Sequence, residues 1–199
     1  MLNKPKFWDR PNLISSLLEP LSILYFFLFI FRRYIIKKRK VGIPVICVGN
    51  LTLGGAGKTP VAISIAKFLI SKGIKPHFLT RGYRGTLKGP ILVSKEHSSK
   101  EVGDEPLLLS EVAPTWVSQN KFKGALKAYK KNADLIIMDD GLQNDTLHKD
   151  LSILVIDGGY GFGNNKLIPA GPLRETPKSS SQRIDLIILV NDPLKNIKL

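Results

Sequence analysis

The segment Gly49-Asn50-Leu51-Thr52-Leu53-Gly54-Gly55-Ala56-Gly57-Lys58-Thr59 has the residue types needed to hold a nucleoside triphosphate, with ATP as the expected cofactor. Its glycines allow a tight turn that aims backbone N–H groups at phosphate oxygens. The helix expected to follow, opened by Pro60, brings partial positive charge at its N-terminus, where proline costs little. Lys58 is placed to reach the β- and γ-phosphates, and the Thr59 hydroxyl to hold Mg²⁺. The usual phosphate-loop spacing has a glycine where this chain has Thr52, so Gly54 and Gly55 must supply the flexibility. Taken alone, the segment also reads as an ordinary strand-to-helix turn. The succession of strand, glycines, Lys-Thr and helix is what points to phosphate.

A second stretch complements the first. Leu135-Ile136-Ile137-Met138 runs into Asp139-Asp140-Gly141. An apolar strand ending in aspartate is where a phosphate-loop protein places its second Mg²⁺ ligand. Adjacent aspartates point in different directions, so one of the two is expected to contact the hydrated metal directly. Asp-Gly is also a common turn pair, and the phosphate loop upstream is what favours the metal role.

Both stretches need a frame that brings them together. From Val41 onward, short apolar runs alternate with amphipathic segments. Strands are expected at 43–48, 77–80, 91–94, 115–118, 135–138, 152–156 and 186–190, and helices at 60–71, 104–112 and 121–131. In the first helix, Val61, Ile65, Phe68 and Leu69 are expected to share the buried face. Continuous rather than alternating apolar runs indicate strands covered on both faces. Strands separated by helices indicate right-handed crossovers in a parallel sheet. The expected fold is α/β, a P-loop NTPase-like, mostly parallel sheet flanked by helices, with its ligand site beyond the carboxyl ends of the strands. The single cysteine, Cys47, lies in an apolar strand and is expected to be a small buried hydrophobe. One cysteine excludes an internal disulfide, and no zinc-type ligand cluster is present in the sequence.

The N-terminus has a different character. Leu21 to Phe31 reads LSILYFFLFIF, and Arg32, Arg33, Lys37, Lys38, Arg39 and Lys40 follow. The basic cluster after the apolar run, with no small-residue cleavage site, excludes a secretory signal. The run is shorter than the roughly 20 residues that a spanning helix needs. It reads either as a core helix or, with its aromatics beside six cations, as a peripheral anchor on an anionic membrane surface. The chain is therefore divided into an N-terminal membrane-associating segment, 1–40, and a phosphate-loop domain, 41–199. The net charge of +14 also suits nucleic acid. Its concentration beside an aromatic run, rather than along a groove-reading helix, argues against that partner.

The motifs together resemble the tetraacyldisaccharide 4′-kinase family of lipid A biosynthesis. The resemblance rests on residues 48–60, including the unusual Thr52, and on Thr80-Arg81-Gly82-Tyr83-Arg84-Gly85. It rests further on Val102-Gly103-Asp104-Glu105-Pro106, Asp139-Asp140-Gly141-Leu142-Gln143 and 167–175, which ends in Arg174-Glu175. It implies transfer of the ATP γ-phosphate to the 4′-hydroxyl of a lipid disaccharide 1-phosphate. The setting it implies is peripheral, on the cytoplasmic face of the inner membrane of a Gram-negative bacterium. Asp104 is implied as the catalytic base beside Lys58. Arg81, Tyr83, Arg84, Gln143, Arg174 and Glu175 are implied as substrate-facing. Arginine suits the acceptor's phosphate because its planar fork makes paired hydrogen bonds, and the 32–40 cluster offers further cations. Without the resemblance, Asp104 reads as a helix N-cap.

Members of the family carry a second α/β lobe with a histidine that acts with the base. His77, His97 and His148 do not lie in the corresponding region; His77 and His148 read as strand-edge and loop residues. The expectation is that this chain corresponds to the N-terminal lobe, with a C-terminal lobe as its partner. The alternative is an ATP-binding lobe that is catalytically weak or inactive without such a partner.

Overall fold

The structure, a computed structural model, describes residues 4–192. After a short 3₁₀ turn at Lys6–Trp8, Asn12 and Ser15 cap each other's backbone N–H groups to start α1 (Leu13–Leu17). α2 (Glu19–Ile35) follows with Pro20 in its first turn. Then come β1 (Val45–Gly49), α3 (Lys58–Ser71), β2 (Pro76–Thr80), β3 (Ile91–Leu92), α4 (Ser99–Val102), α5 (Asp104–Ser110) and β4 (Thr115–Val117). The remaining elements are α6 (Lys121–Lys130), β5 (Leu135–Asp139), β6 (Leu151–Asp157), α7 (Pro177–Ser181) and β7 (Leu186–Val190). The strands form a seven-stranded, mostly parallel sheet of order β3-β4-β2-β5-β1-β6-β7.

The chain divides into two compact units. One comprises Lys37–Gly49 and Lys58–Ile153; the other comprises the described parts of Met1–Ile36, Asn50–Gly57 and Leu154–Leu199. In the first unit, β1, β5, β2 and β4 are parallel neighbours, with Val48 opposite Asp139 and Thr80 opposite Val117. This register aligns four carboxyl ends. The residues that leave them include Asp140 after β5, Arg81 after β2 and Lys121 after β4, while Lys58 opens the helix that follows β1. The core beneath is apolar and fully enclosed, with Cys47, Val48, Phe78, Leu79, Ile136, Ile137 and Met138 at or near zero exposure.

In the second unit the packing of the N-terminal helices is inverted. Ser15 and Ser22 are buried, while Leu24, Phe27, Leu28 and Phe31 face outward. Ser22 Oγ donates to the Leu167 carbonyl (2.9 Å) and accepts from Ala170 N–H (3.1 Å). Lys166 Nζ pairs with Glu19 at 3.1 Å. Polar contacts therefore seat this helix, and much of its apolar surface remains outside.

Several details differ from the sequence reading. β3 is antiparallel to β4. α4, a single turn closed by a Ser98–Glu101 capping box, was not expected. His77 lies in central strand β2, buried, and its Nδ1 accepts from Trp116 Nε1 at 3.2 Å; burial lowers its pKa. On α3 the buried residues are Ala62 and Ala66, and Phe68 is 62% exposed. Two alanines one turn apart let the helix lie close to the sheet, which leaves no room for the large residue there. Ala66→Leu should therefore destabilise the fold by about 1–3 kcal/mol. Phe68→Ala should stay within about 0.5 kcal/mol of the parent. Denaturant melts of the two variants check both.

Candidate functional site

The chemistry gathers at the aligned carboxyl ends. Asp139 ends β5 and is 1% exposed. Its Oδ2 accepts from Thr59 Oγ1 at 3.1 Å, whereas Oδ1 is buried and has no hydrogen-bond partner among the described residues. Lys58 Nζ lies 3.9 Å from Asp140 Oδ1, and the lysine side chain is only 10% exposed. Asp140 has a left-handed backbone (φ 54°), unusual for a residue other than glycine. Its N–H donates to the Val48 carbonyl at 2.9 Å, which ties the end of β5 to the end of β1. Lys58 and Thr59 are the first two residues of α3, so the helix begins two residues before Pro60.

Burial raises the Asp139 carboxyl pKa to about 6, with Glu105 and Asp140 adding to the rise, while Lys58 and the Thr59 hydrogen bond oppose it. Burial lowers the Lys121 ammonium to about 7, opposed chiefly by Asp140 and Asp139. Burial likewise pushes the Cys47 thiol up to about 11, so it is inert at neutral pH.

The expected substrate-facing loop packs beside the start of α5. A side chain at Gly103 (φ 93°) would meet the Tyr83 carbonyl oxygen at 2.5 Å, so the 80–85 loop and the turn before Asp104 approach closely enough to require glycine. Asp104 is the exposed first residue of α5; Gly103 holds the cap position. Arg81, Tyr83 and Arg84 are exposed, and the Arg84 guanidinium lies 5.6 Å from the centre of the Tyr83 ring. Gln143 is half-buried in the turn after β5. Of the basic cluster, Arg39 stacks over Phe122 (5.2 Å) and Lys40 pairs with Asp150 (3.4 Å).

The glycine-rich residues form a braced loop in the second unit. Thr52 pairs with Leu173 as an isolated antiparallel bridge. Leu53 N–H donates to the Pro172 carbonyl (2.8 Å), and Arg174 N–H to the Leu51 carbonyl (2.7 Å). Asn50 Nδ2 reaches Thr52 Oγ1 and the Gly54 carbonyl, at 3.4 and 3.2 Å. Thr52 thus stands in extended, paired backbone, where glycine has no advantage. Gly54 and Gly57 take the left-handed conformations, at φ 115° and 77°. Arg174 is tied to this loop through its backbone, whereas the buried Glu175 carboxylate is paired with Arg183.

Sequence reasoning passed over two charged residues here. Glu105, beside Asp104, is close enough to act on Asp139. Lys121 is 3% exposed. Its position as the first residue of a helix following a parallel strand was the available signal.

The raised Asp139 pKa carries a stability consequence for the metal-free chain. Its folded value, about 6, lies above the ordinary 3.8. Folding therefore favours the protonated acid, and that contribution is present below pH 3.8 and lost as pH rises through 6. Asp139→Asn should stabilise the metal-free protein by about 1–3 kcal/mol near pH 8 and make little difference near pH 4. Urea melts at the two pH values read the difference.

The family model described as LpxK, tetraacyldisaccharide-1-P 4′-kinase, matches residues 14–199. A tetraacyldisaccharide 4′-kinase of Rhodospirillum rubrum is 47% identical over 98% of this chain and 60% of its own length. One from Parvibaculum lavamentivorans is 50% identical over 94% and 57%. The crystal structure of LpxK from Aquifex aeolicus in complex with ATP superposes with a TM-score of 0.82 at 34% identity, covering 94% of this chain and 62% of that one. The chain thus spans about three fifths of the length of these relatives. With the family model covering nearly all of it, the chain belongs to the tetraacyldisaccharide-1-P 4′-kinase family.

Proposed function

We propose that this chain binds Mg²⁺ and ATP and forms the nucleotide-binding part of a kinase that phosphorylates the 4′-hydroxyl of a tetraacyldisaccharide 1-phosphate, giving the 1,4′-bisphosphate. The observation that carries the reading is the joining of the two motifs: Thr59 to Asp139 at 3.1 Å and Lys58 to Asp140 at 3.9 Å. The donor set fits Mg²⁺. No group of three His, Cys, Asp or Glu able to hold a metal occurs among the described residues. Mg²⁺ typically keeps several waters and takes one or two carboxylates with substrate phosphates. The spare Asp139 Oδ1 and the Thr59 hydroxyl offer the protein's share.

Bound Mg·ATP would supply the electrophilic γ-phosphoryl group. Lys58 would hold its charged oxygens. Asp104 would take up the proton released by the attacking hydroxyl, and Arg81 and Arg84 would orient the acceptor's phosphate.

The acceptor is a lipid, and the second unit suits one. An open groove of about 640 Å³ beside α2 is lined by Ile23, Phe26, Phe27 and Leu167, with Lys166 and Thr176 at hand. No described helix is long and apolar enough to cross a membrane. The outward Leu and Phe residues of α2 and the cations after it support peripheral attachment to the anionic cytoplasmic face of an inner membrane.

Titration with a fluorescent ATP analogue tests the nucleotide reading. Binding should require Mg²⁺, and Thr59→Ala should weaken it about tenfold or more. Binding indifferent to both EDTA and Thr59→Ala would overturn it. Transfer of radiolabelled phosphate to the lipid disaccharide, with the chain alone and with the remaining portion of a relative supplied, separates binding from turnover. Attachment is read by flotation with anionic vesicles. Leu24→Glu with Leu28→Glu should release the protein, and equal flotation of parent and variant would refute the α2 assignment.

A further inference from the structure

Lys121 is not needed by the phosphate-loop motif, yet it is built into the same place. It is the first residue of α6, four residues past the carboxyl end of β4, and is 3% exposed. A side chain at a helix start points back toward the helix N-terminus, here toward the aligned strand ends. Lysine is almost never fully buried unless paired. Lys121 Nζ is buried and has no hydrogen-bond partner among the described residues. The anionic side chains that act on it most are Asp140 and Asp139, the two that hold Lys58 and Thr59; Arg81 acts on it as a like charge.

A counter-ion role would join the ammonium to one of these carboxylates. Instead Lys121 Nζ and Asp139 Oδ1 are both unpartnered buried atoms, a donor and an acceptor that do not satisfy each other. A ligand presenting a cation together with phosphate oxygens satisfies both, the cation at Oδ1 and a phosphate oxygen at Nζ.

We propose that Lys121 is a second phosphate-binding cation of the nucleotide site, which meets the terminal phosphate from the α6 side while Lys58 meets it from the α3 side. This rests on the Mg·ATP reading above. Between the nucleotide's phosphate and the lipid acceptor's, the charge neighbours shared with Lys58 and Thr59 favour the nucleotide's.

The test compares ATP and ADP. Mg·ATP and Mg·ADP affinities are measured by calorimetry for the parent chain, Lys121→Met and Lys121→Arg. Lys121→Met should cut the ATP-over-ADP preference about tenfold or more, with ADP affinity near the parent's. Lys121→Arg should keep most of the preference. Without nucleotide, Lys121→Met should melt at or above the parent temperature, because it removes an unpaired buried charge. An unchanged preference in Lys121→Met would overturn the inference and leave the nucleotide reading standing. So would a lower melting temperature with ATP and ADP binding lost together, which marks a structural ion pair. Failure of the parent chain to bind either nucleotide would overturn both.

Discussion

A carboxylate is costly to bury, and this fold places one at the end of a central strand. Asp139 is almost completely enclosed, and its acid form is favoured by the surroundings. Much of the first unit can be read as the means of holding it there. The β1–β5 register sets Asp139 opposite Val48, so the acidic end lies beside the strand that leads to Lys58 and Thr59. α3 must then lie close enough for the Thr59 hydroxyl to reach Asp139, and alanine at 62 and 66 permits that approach. Asp140 turns into a left-handed conformation immediately afterwards, which directs its side chain toward Lys58. A residue type that would be removed on stability grounds alone is retained, with its neighbours arranged around it. Such a conflict between local stability and placement is characteristic of a functional centre.

The glycine-rich loop meets a different requirement. Polyphosphate binding favours amides fixed before the ligand arrives, because ordering a free loop costs about 1–2 kcal/mol per residue. Here the first half of the loop is not free. It is paired with residues 172–174 and stapled by the Asn50 side chain. The left-handed backbone falls at Gly54 and Gly57. The absence of glycine at position 52 is therefore a trade of turn freedom for a strand-like anchor. It also links the loop to the segment that carries Arg174, more than 100 residues away in sequence.

These two motifs were legible because their chemistry is local: strand, turn and helix signals lie within a dozen residues. The sheet was legible because β5, β6 and β7 are continuous apolar runs. What escaped depended on tertiary neighbours. Phe68 has the right spacing for a buried face, but close packing selected alanine instead. His77 reads as a strand-edge residue, and only the order β4-β2-β5 makes it central. Lys121 belongs to a helix with several exposed lysines, and only its place at the helix start, after a parallel strand, sets it apart. Glu175 is implied as substrate-facing, and its pairing with Arg183, eight residues on, has no sequence signal. A single turn such as α4 leaves almost no periodic signal at all.

The apolar N-terminal helix poses the reverse problem, since its sequence reads equally as core or as interface. The structure narrows the choice through what the helix buries. A core helix turns its leucines and phenylalanines inward and leaves serine to solvent. α2 buries Ser22 together with Phe29, uses Ser22 to bridge Leu167 and Ala170, and leaves Leu21, Leu24, Phe27, Leu28 and Phe31 more than half exposed. Each such residue loses roughly 1.5–3 kcal/mol relative to full burial. Several together on one helix form a patch of the kind that marks an interaction or membrane surface. The polar group that α2 buries finds its hydrogen bonds within the protein, while most of the helix's large apolar side chains remain at the surface.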